Sequence, residues 1–168
     1  MKSKLLTLVF ALFCLLSQAQ KGANLPAIDI KSLNGKTFNT AEIDNDGAPI
    51  VINFWATWCG PCKKELNTIH DLYPDWQDET NVKIYAVSID DSRNLAKVAP
   101  YVNSRAWDYE VLLDPNGDFS RALNVTNPPH TFVLNAKKEV VWQHNGYAAG
   151  DEEELYEVIE KVSRGEDL

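Results

Sequence analysis

Two cysteines separated by two residues, Cys59-Gly60-Pro61-Cys62, stand between stretches of different periodicity. Ahead of them residues 49–55 (Pro-Ile-Val-Ile-Asn-Phe-Trp) form an apolar, β-branched run of buried-strand length. Behind them apolar residues recur in steps of three and four, the period of an α-helix. The pair therefore falls where a strand ends and a helix begins. A helix N-terminus offers free backbone N–H groups and the positive end of the helix dipole, and both favour a nearby anion. A thiolate is such an anion, and lowering a thiol's pKa raises the fraction present as nucleophile. Cys59, just before the first turn, is expected to be the exposed attacking sulfur. Cys62, inside that turn, is placed to attack the mixed disulfide and release the partner. Pro61 suits the first turn, where its missing N–H costs no hydrogen bond. Two blander readings compete with redox chemistry. A structural disulfide across so short a loop stabilises by only roughly 2 kcal/mol. Half of a zinc site lacks its other half, because tetrahedral sites take four ligands and the chain has no second cysteine pair.

Trp58-Cys59-Gly60-Pro61-Cys62 resembles the active site of the thioredoxin superfamily. The wider Asn53-Phe54-Trp55-Ala56-Thr57-Trp58-Cys59 and Cys62-Lys63-Lys64-Glu65 resemble more specifically its TlpA/ResA-like branch of exported thiol-disulfide oxidoreductases, with the likeness running from about Asn24 to the C-terminal helix. The resemblance implies a thioredoxin-like α/β fold: a central mixed sheet flanked by helices, with an N-terminal β-hairpin extension. It also implies a reductase of protein disulfides without a separate cofactor, clients such as apocytochrome c, and a membrane electron donor that re-reduces the cysteines. Val125 to Phe132 stands in the place of the family's cis-proline loop, and Pro129 matches the cis proline. The preceding residue is Pro128, which has no N–H to offer a bound partner.

On this reading Trp58, Gly60, Pro61, Pro128 and Pro129 form the substrate-binding surface, with Trp58 an exposed apolar platform and Trp55 packed. His130 reads as a loop histidine, with a proton relay or metal ligand as the alternative. Asn53 takes the position of the buried acid of thioredoxins proper. The family pattern then points to an acid at the end of the next strand, and Asp91 of Asp90-Asp91 matches it. A carboxylate near the resolving thiol raises that thiol's pKa or accepts its proton.

The chain has 168 residues, 45% hydrophobic and 24% charged, an ordinary globular composition expected to form one domain over residues 20–168. Lys2 and Lys4, the apolar Leu5 to Leu16 and the small-x-small Ser17-Gln18-Ala19 read as a signal peptide over residues 1–19, cleaved after Ala19 for export to the periplasm. The apolar run of 12 residues is short of the roughly 20 that span a bilayer, so no stable membrane insertion is expected. Phe13 before Cys14 is unlike the small residue of a lipoprotein signal. Loss of the leader removes Cys14, leaves Cys59 and Cys62 as the only cysteines, and takes the net charge from -8 to -10. Such a surface repels nucleic acid and anionic lipid.

Along the chain, Ile28 to Phe38 with Asn34-Gly35 predicts a hairpin of two edge strands, followed by a short turn capped by Thr40. After the cysteines, Cys62, Leu66, Ile69, Leu72, Tyr73 and Trp76 predict a buried helical stripe that kinks or restarts at Pro74. Strands are predicted at Val82 to Asp90, Glu110 to Leu113, Thr131 to Leu134 and Glu139 to His144. Helices are predicted from Ser92 through Leu95, Val98 and Val102 with a bend or end at Pro100, around Phe119 and Leu123, and over Asp151 to Ser163. The first three central strands alternate with helices and should be parallel, and the last two should form a hairpin. Two rival functions remain open: a disulfide oxidase or isomerase using the same cysteines, and a copper-binding module using Cys59, Cys62 and His130.

Overall fold

The computed structural model describes residues 25–166 and 168. The expected signal peptide and cleavage site, and Cys14, lie outside the described residues. The strands are β1 (Asp29–Ser32), β2 (Thr37–Asn39), β3 (Ile50–Trp55), β4 (Lys83–Ser88), β5 (Glu110–Leu113), β6 (His130–Leu134) and β7 (Val140–Asn145). The helices are α1 (Gly60–Thr80), α2 (Val98–Arg105), α3 (Asp118–Ala122) and α4 (Asp151–Ser163). All seven strands join one mixed sheet in the order β2-β1-β5-β4-β3-β6-β7.

β3, β4 and β5 are parallel neighbours, β6 runs antiparallel to β3, and β6 and β7 form a hairpin. This is the expected α/β architecture with one correction. Of the two hairpin strands only β2 lies at an edge, because β1 also pairs antiparallel with β5 through Lys31↔Leu113 and Ser32↔Leu112. The extension therefore widens the central sheet instead of standing apart from it.

The six residues of β3 are all buried, as in a strand covered on both faces. Alternate side chains point to opposite faces. Val51 and Trp55, with Ile84, Ala86 and Val133, pack with Cys62, Leu66 and Ile69 of α1 and with Leu155 and Ile159 of α4. Ile50, Ile52 and Phe54 face the other way, onto Phe132 and onto Phe119 of α3. Phe54 meets Phe119 at a ring-centroid distance of 5.3 Å and Phe132 at 5.9 Å.

The buried stripe of α1 holds Cys62, Leu66, Ile69, Tyr73 and Trp76 as predicted, but Leu72 is exposed and Glu65 is buried. Counting 3.6 residues per turn from Cys62 reaches 65 or 66, 69, 73 and 76, and position 72 falls off that face. The helix continues through Pro74, so of the two expected outcomes it does not stop and restart there. Pro74 lies on the solvent side, while buried Tyr73 and Trp76 hold the helix to the sheet on either side of it.

Pro100 likewise does not end a helix. It is the third residue of α2, in the first turn, where N–H groups have no intrahelical acceptor. The turn after β2 is capped by Asn39, not Thr40: Asn39 Oδ1 accepts from the Ala41 N–H, and Glu42 returns a contact to the Asn39 N–H. Thr40 is buried and its hydroxyl accepts from the Ile28 N–H at 2.9 Å.

Truncating Phe119, which is fully buried against Phe54, is expected to cost about 3–5 kcal/mol in urea denaturation. Leu72→Ala, on the exposed side of α1, is expected to change stability by about 0.5 kcal/mol or less.

Candidate active site

The cysteines lie at the junction of β3 and α1. Cys59 is the N-cap of α1 with an extended backbone, Pro61 occupies the first turn, and Cys59 and Cys62 are joined by a disulfide. Cys59 Sγ accepts a hydrogen bond from the Cys62 N–H at 3.2 Å. When the disulfide is opened, the same N–H and the helix dipole favour negative charge on that sulfur.

Cys59 is only 5% exposed and Cys62 is fully buried, so the expected contrast in exposure between the two sulfurs is small in the oxidised state. Exposure lies instead on their neighbours. Trp58 is 58% exposed, and Gly60 and Pro61 are exposed beside it. Trp55 is fully buried, its ring against Tyr101 and Trp107.

The β3–β6 register pairs Phe54 with His130. That register carries Pro129 to the level of Trp55, at the end of the sheet where the cysteine loop begins. The Pro128–Pro129 bond is cis, as the resemblance implied; Pro128 is half-buried and Pro129 buried.

Behind the cysteines lies an acid that sequence reasoning missed. Glu65, three residues beyond Cys62 and hence on the same side of α1, is 4% exposed. Its Oε2 accepts from Asn53 Nδ2 at 2.9 Å and its Oε1 from the Thr131 hydroxyl at 2.9 Å, and Asn53 Nδ2 also donates to Thr131 Oγ1 at 2.7 Å. Burial pushes the Glu65 carboxyl up to about 7, against the lowering effect of those two hydrogen bonds; Asp151 and Glu152 at the start of α4 push the same way as burial. The signal was present in the sequence as an acid falling on the buried stripe of α1.

Asp91, the acid expected in this role, is partly exposed. Its carboxylate accepts from Arg93 Nε at 2.8 Å and from the Arg93 backbone N–H at 3.1 Å. The Arg93 guanidinium holds its pKa below the usual carboxylate value. The reason is local: β4 ends at Ser88, so the following residues leave the sheet, with Asp90 turned inward and Asp91 outward. Asp90 is fully buried and accepts from the Thr57 N–H and hydroxyl at 2.8 and 2.6 Å.

His130 is the first residue of β6, a strand position and not a loop one. It stacks on Phe132 at 4.3 Å, and its Nε2 lies 3.2 Å from Gln143 Oε1. Burial lowers its pKa. Phe132 and Phe54, which flank it, belong to the core on the face opposite the cysteines. The alternative ligand set of Cys59, Cys62 and His130 is therefore divided by the sheet. Among the described residues no three His, Cys, Asp or Glu side chains gather as a metal site.

A disulfide-bonded cysteine pair at the head of α1, facing a cis-proline turn across one end of a mixed sheet, is the arrangement of the thioredoxin-like thiol-disulfide oxidoreductases. Residues 22–143 match the AhpC/TSA family, and the chain belongs to it. Thiol-disulfide oxidoreductase ResA of Bacillus subtilis is 29% identical over 135 residues, covering 80% of this chain and 73% of ResA. Thiol:disulfide interchange protein DsbE of Yersinia pestis is 30% identical over 135 residues, covering 79% of this chain and 68% of DsbE. The solution structure of a thioredoxin-like protein from Porphyromonas gingivalis superposes with a TM-score of 0.75 at 44% identity, covering 86% of this chain and 95% of that one. The chain is an oxidoreductase of the TlpA/ResA-like kind, acting by thiol-disulfide chemistry.

The raised pKa of Glu65 has a signature in stability. The folded state keeps the proton up to about pH 7, whereas the unfolded chain releases it near the ordinary value of 4.5. Between those values folding takes up a proton, so stability falls as pH rises. Urea denaturation across this window should show wild type losing about 3 kcal/mol more than Glu65→Gln.

Proposed function

We propose that the chain reduces protein disulfides outside the cytoplasm, with Cys59 as attacking and Cys62 as resolving sulfur. The observation that carries the reading is the Cys62 N–H aimed at Cys59 Sγ, with a buried Glu65 one helical turn behind.

The Cys59 thiolate attacks one sulfur of a client disulfide. A mixed disulfide forms and the other client sulfur leaves as a thiolate. Glu65, whose pKa near neutrality suits a general base, then takes the proton of the Cys62 thiol. The Cys62 thiolate attacks Cys59 Sγ, expels the second client thiolate and closes the Cys59–Cys62 disulfide. Two electrons have passed to the client. A reductant must return the pair to the dithiol, and the resemblance to TlpA/ResA-like proteins assigns that task to a membrane electron donor. Trp58, Gly60, Pro61 and Pro128 make the docking surface around the sulfurs, and the buried cis Pro129 sets the turn that presents Pro128.

The direction of electron flow rests on Gly60-Pro61, which resembles the dipeptide of reducing thioredoxins. Export rests on the leader pattern of residues 1–19. Among the described residues no helix is long and apolar enough to cross a membrane.

Cys62→Ser is expected to accumulate mixed disulfides through Cys59 on non-reducing gels, and Cys59→Ser is not; equal trapping by both variants would remove the role assignment. Equilibration of the couple against thiol buffers, read by tryptophan fluorescence, is expected to give a potential near roughly -270 mV. A value of roughly -120 to -180 mV would make the chain an oxidase or isomerase instead.

A further inference from the structure

We infer that Asp90 is a positioning residue for client docking: through Thr57 it fixes the backbone that presents Trp58 beside Cys59. The inference rests on the reductase reading above. Asp90 is fully buried, and among the described residues no cation pairs with it. A buried carboxylate persists only where donors replace the water it has lost. Three donors do so here. Oδ2 accepts from the Thr57 N–H and the Ser88 hydroxyl, both at 2.8 Å, and Oδ1 accepts from the Thr57 hydroxyl at 2.6 Å. Thr57 thus engages both carboxylate oxygens at once.

The grip is itself anchored to the sheet. The Asp90 N–H donates to Ser88 Oγ at 3.1 Å, and the Ile89 N–H donates to the Trp55 carbonyl at 2.9 Å, one step beyond the β3–β4 ladder. Position 57 is therefore held by Asp90, in the segment that follows β4, and not by its own strand, which stops at Trp55.

The next residue explains the need for such a hold. Trp58 is 58% exposed, so packing against the core cannot by itself fix its place. Its backbone is pinned on one side by the Asp90–Thr57 grip and on the other by Cys59, whose N–H donates to the Ala56 carbonyl at 3.0 Å. The sulfurs have a separate support in the first turn of α1, through the Cys62 N–H. Releasing Thr57 therefore loosens the docking platform more than the reacting sulfurs. A client then meets a surface that has to be ordered during binding, which weakens binding without slowing exchange.

The test compares Thr57→Val, Thr57→Ser and Asp90→Asn in the reduction of insulin, a protein disulfide, and of oxidised glutathione, a small one. The expected result for Thr57→Val is a KM for insulin raised about fivefold or more, with kcat and the glutathione rate within about twofold of wild type. Thr57→Ser, which keeps both donors, should bring KM back to within about twofold. Asp90→Asn should match Thr57→Val; if its buried amide prevents folding, the two Thr57 variants decide alone. An unchanged KM in Thr57→Val overturns the inference, and so does a glutathione rate that falls in step with the insulin rate. A wild-type chain that reduces neither probe removes the reductase reading, and the role of Asp90 with it.

Discussion

Asn53 is the one polar side chain in the fully buried strand β3, and its amide nitrogen ties together the elements that supply the site. One bond runs to Glu65 on α1, the helix that carries Cys62, and the other to Thr131 on β6, two residues past the cis proline. A polar group that deep requires partners, and a shift of α1 or β6 would leave a buried amide, hydroxyl and carboxyl unsatisfied together. Hydrophobic contacts tolerate sliding; this triangle of bonds does not. The distance between the cysteine turn and the proline turn is thus governed by hydrogen bonds beneath them and not by the exposed loops themselves.

Much of this is legible in the sequence. β5 and α4 fall on the predicted residues, because their apolar residues are bounded by sharp signals such as Asp114-Pro115-Asn116-Gly117 and the acidic run before Leu155. The cysteine pair was readable because strand and helix periodicity meet at it. What escaped depended on three dimensions. Whether Asp90 or Asp91 turns inward is decided by where β4 leaves the sheet, and strand ends carry little sequence signal. Glu65 is hard to read because an acid on an apolar stripe looks like an interruption of it, and its partners on β3 and β6 are far away in sequence. His130 read as a loop residue because the strand signal began at Thr131; its pairing with Phe54 is a tertiary fact.

Three acids close together in sequence or space illustrate how surroundings assign work to one functional group. Asp91 keeps water and an arginine, and is held ionised. Asp90 has lost water but gained three donors, and serves as a fixed acceptor. Glu65 has lost water, gained two donors and faces the acids of α4, which leaves it close to balance between its two protonation states at neutral pH. Composition alone treats all three as surface charge.

The sheet order carries a further consequence, for assembly. β1 and β5 are neighbours in space but some eighty positions apart along the chain, with β3, α1, β4 and α2 between them. Loop-closure entropy must be met before so distant a pairing forms. During synthesis from the N-terminus, the hairpin of β1 and β2 therefore waits with its inner edge unpaired until Leu113 has emerged. Open strand edges are templates for wrong pairing. Its short strands, of four and three residues, limit how much mispairing that interval permits.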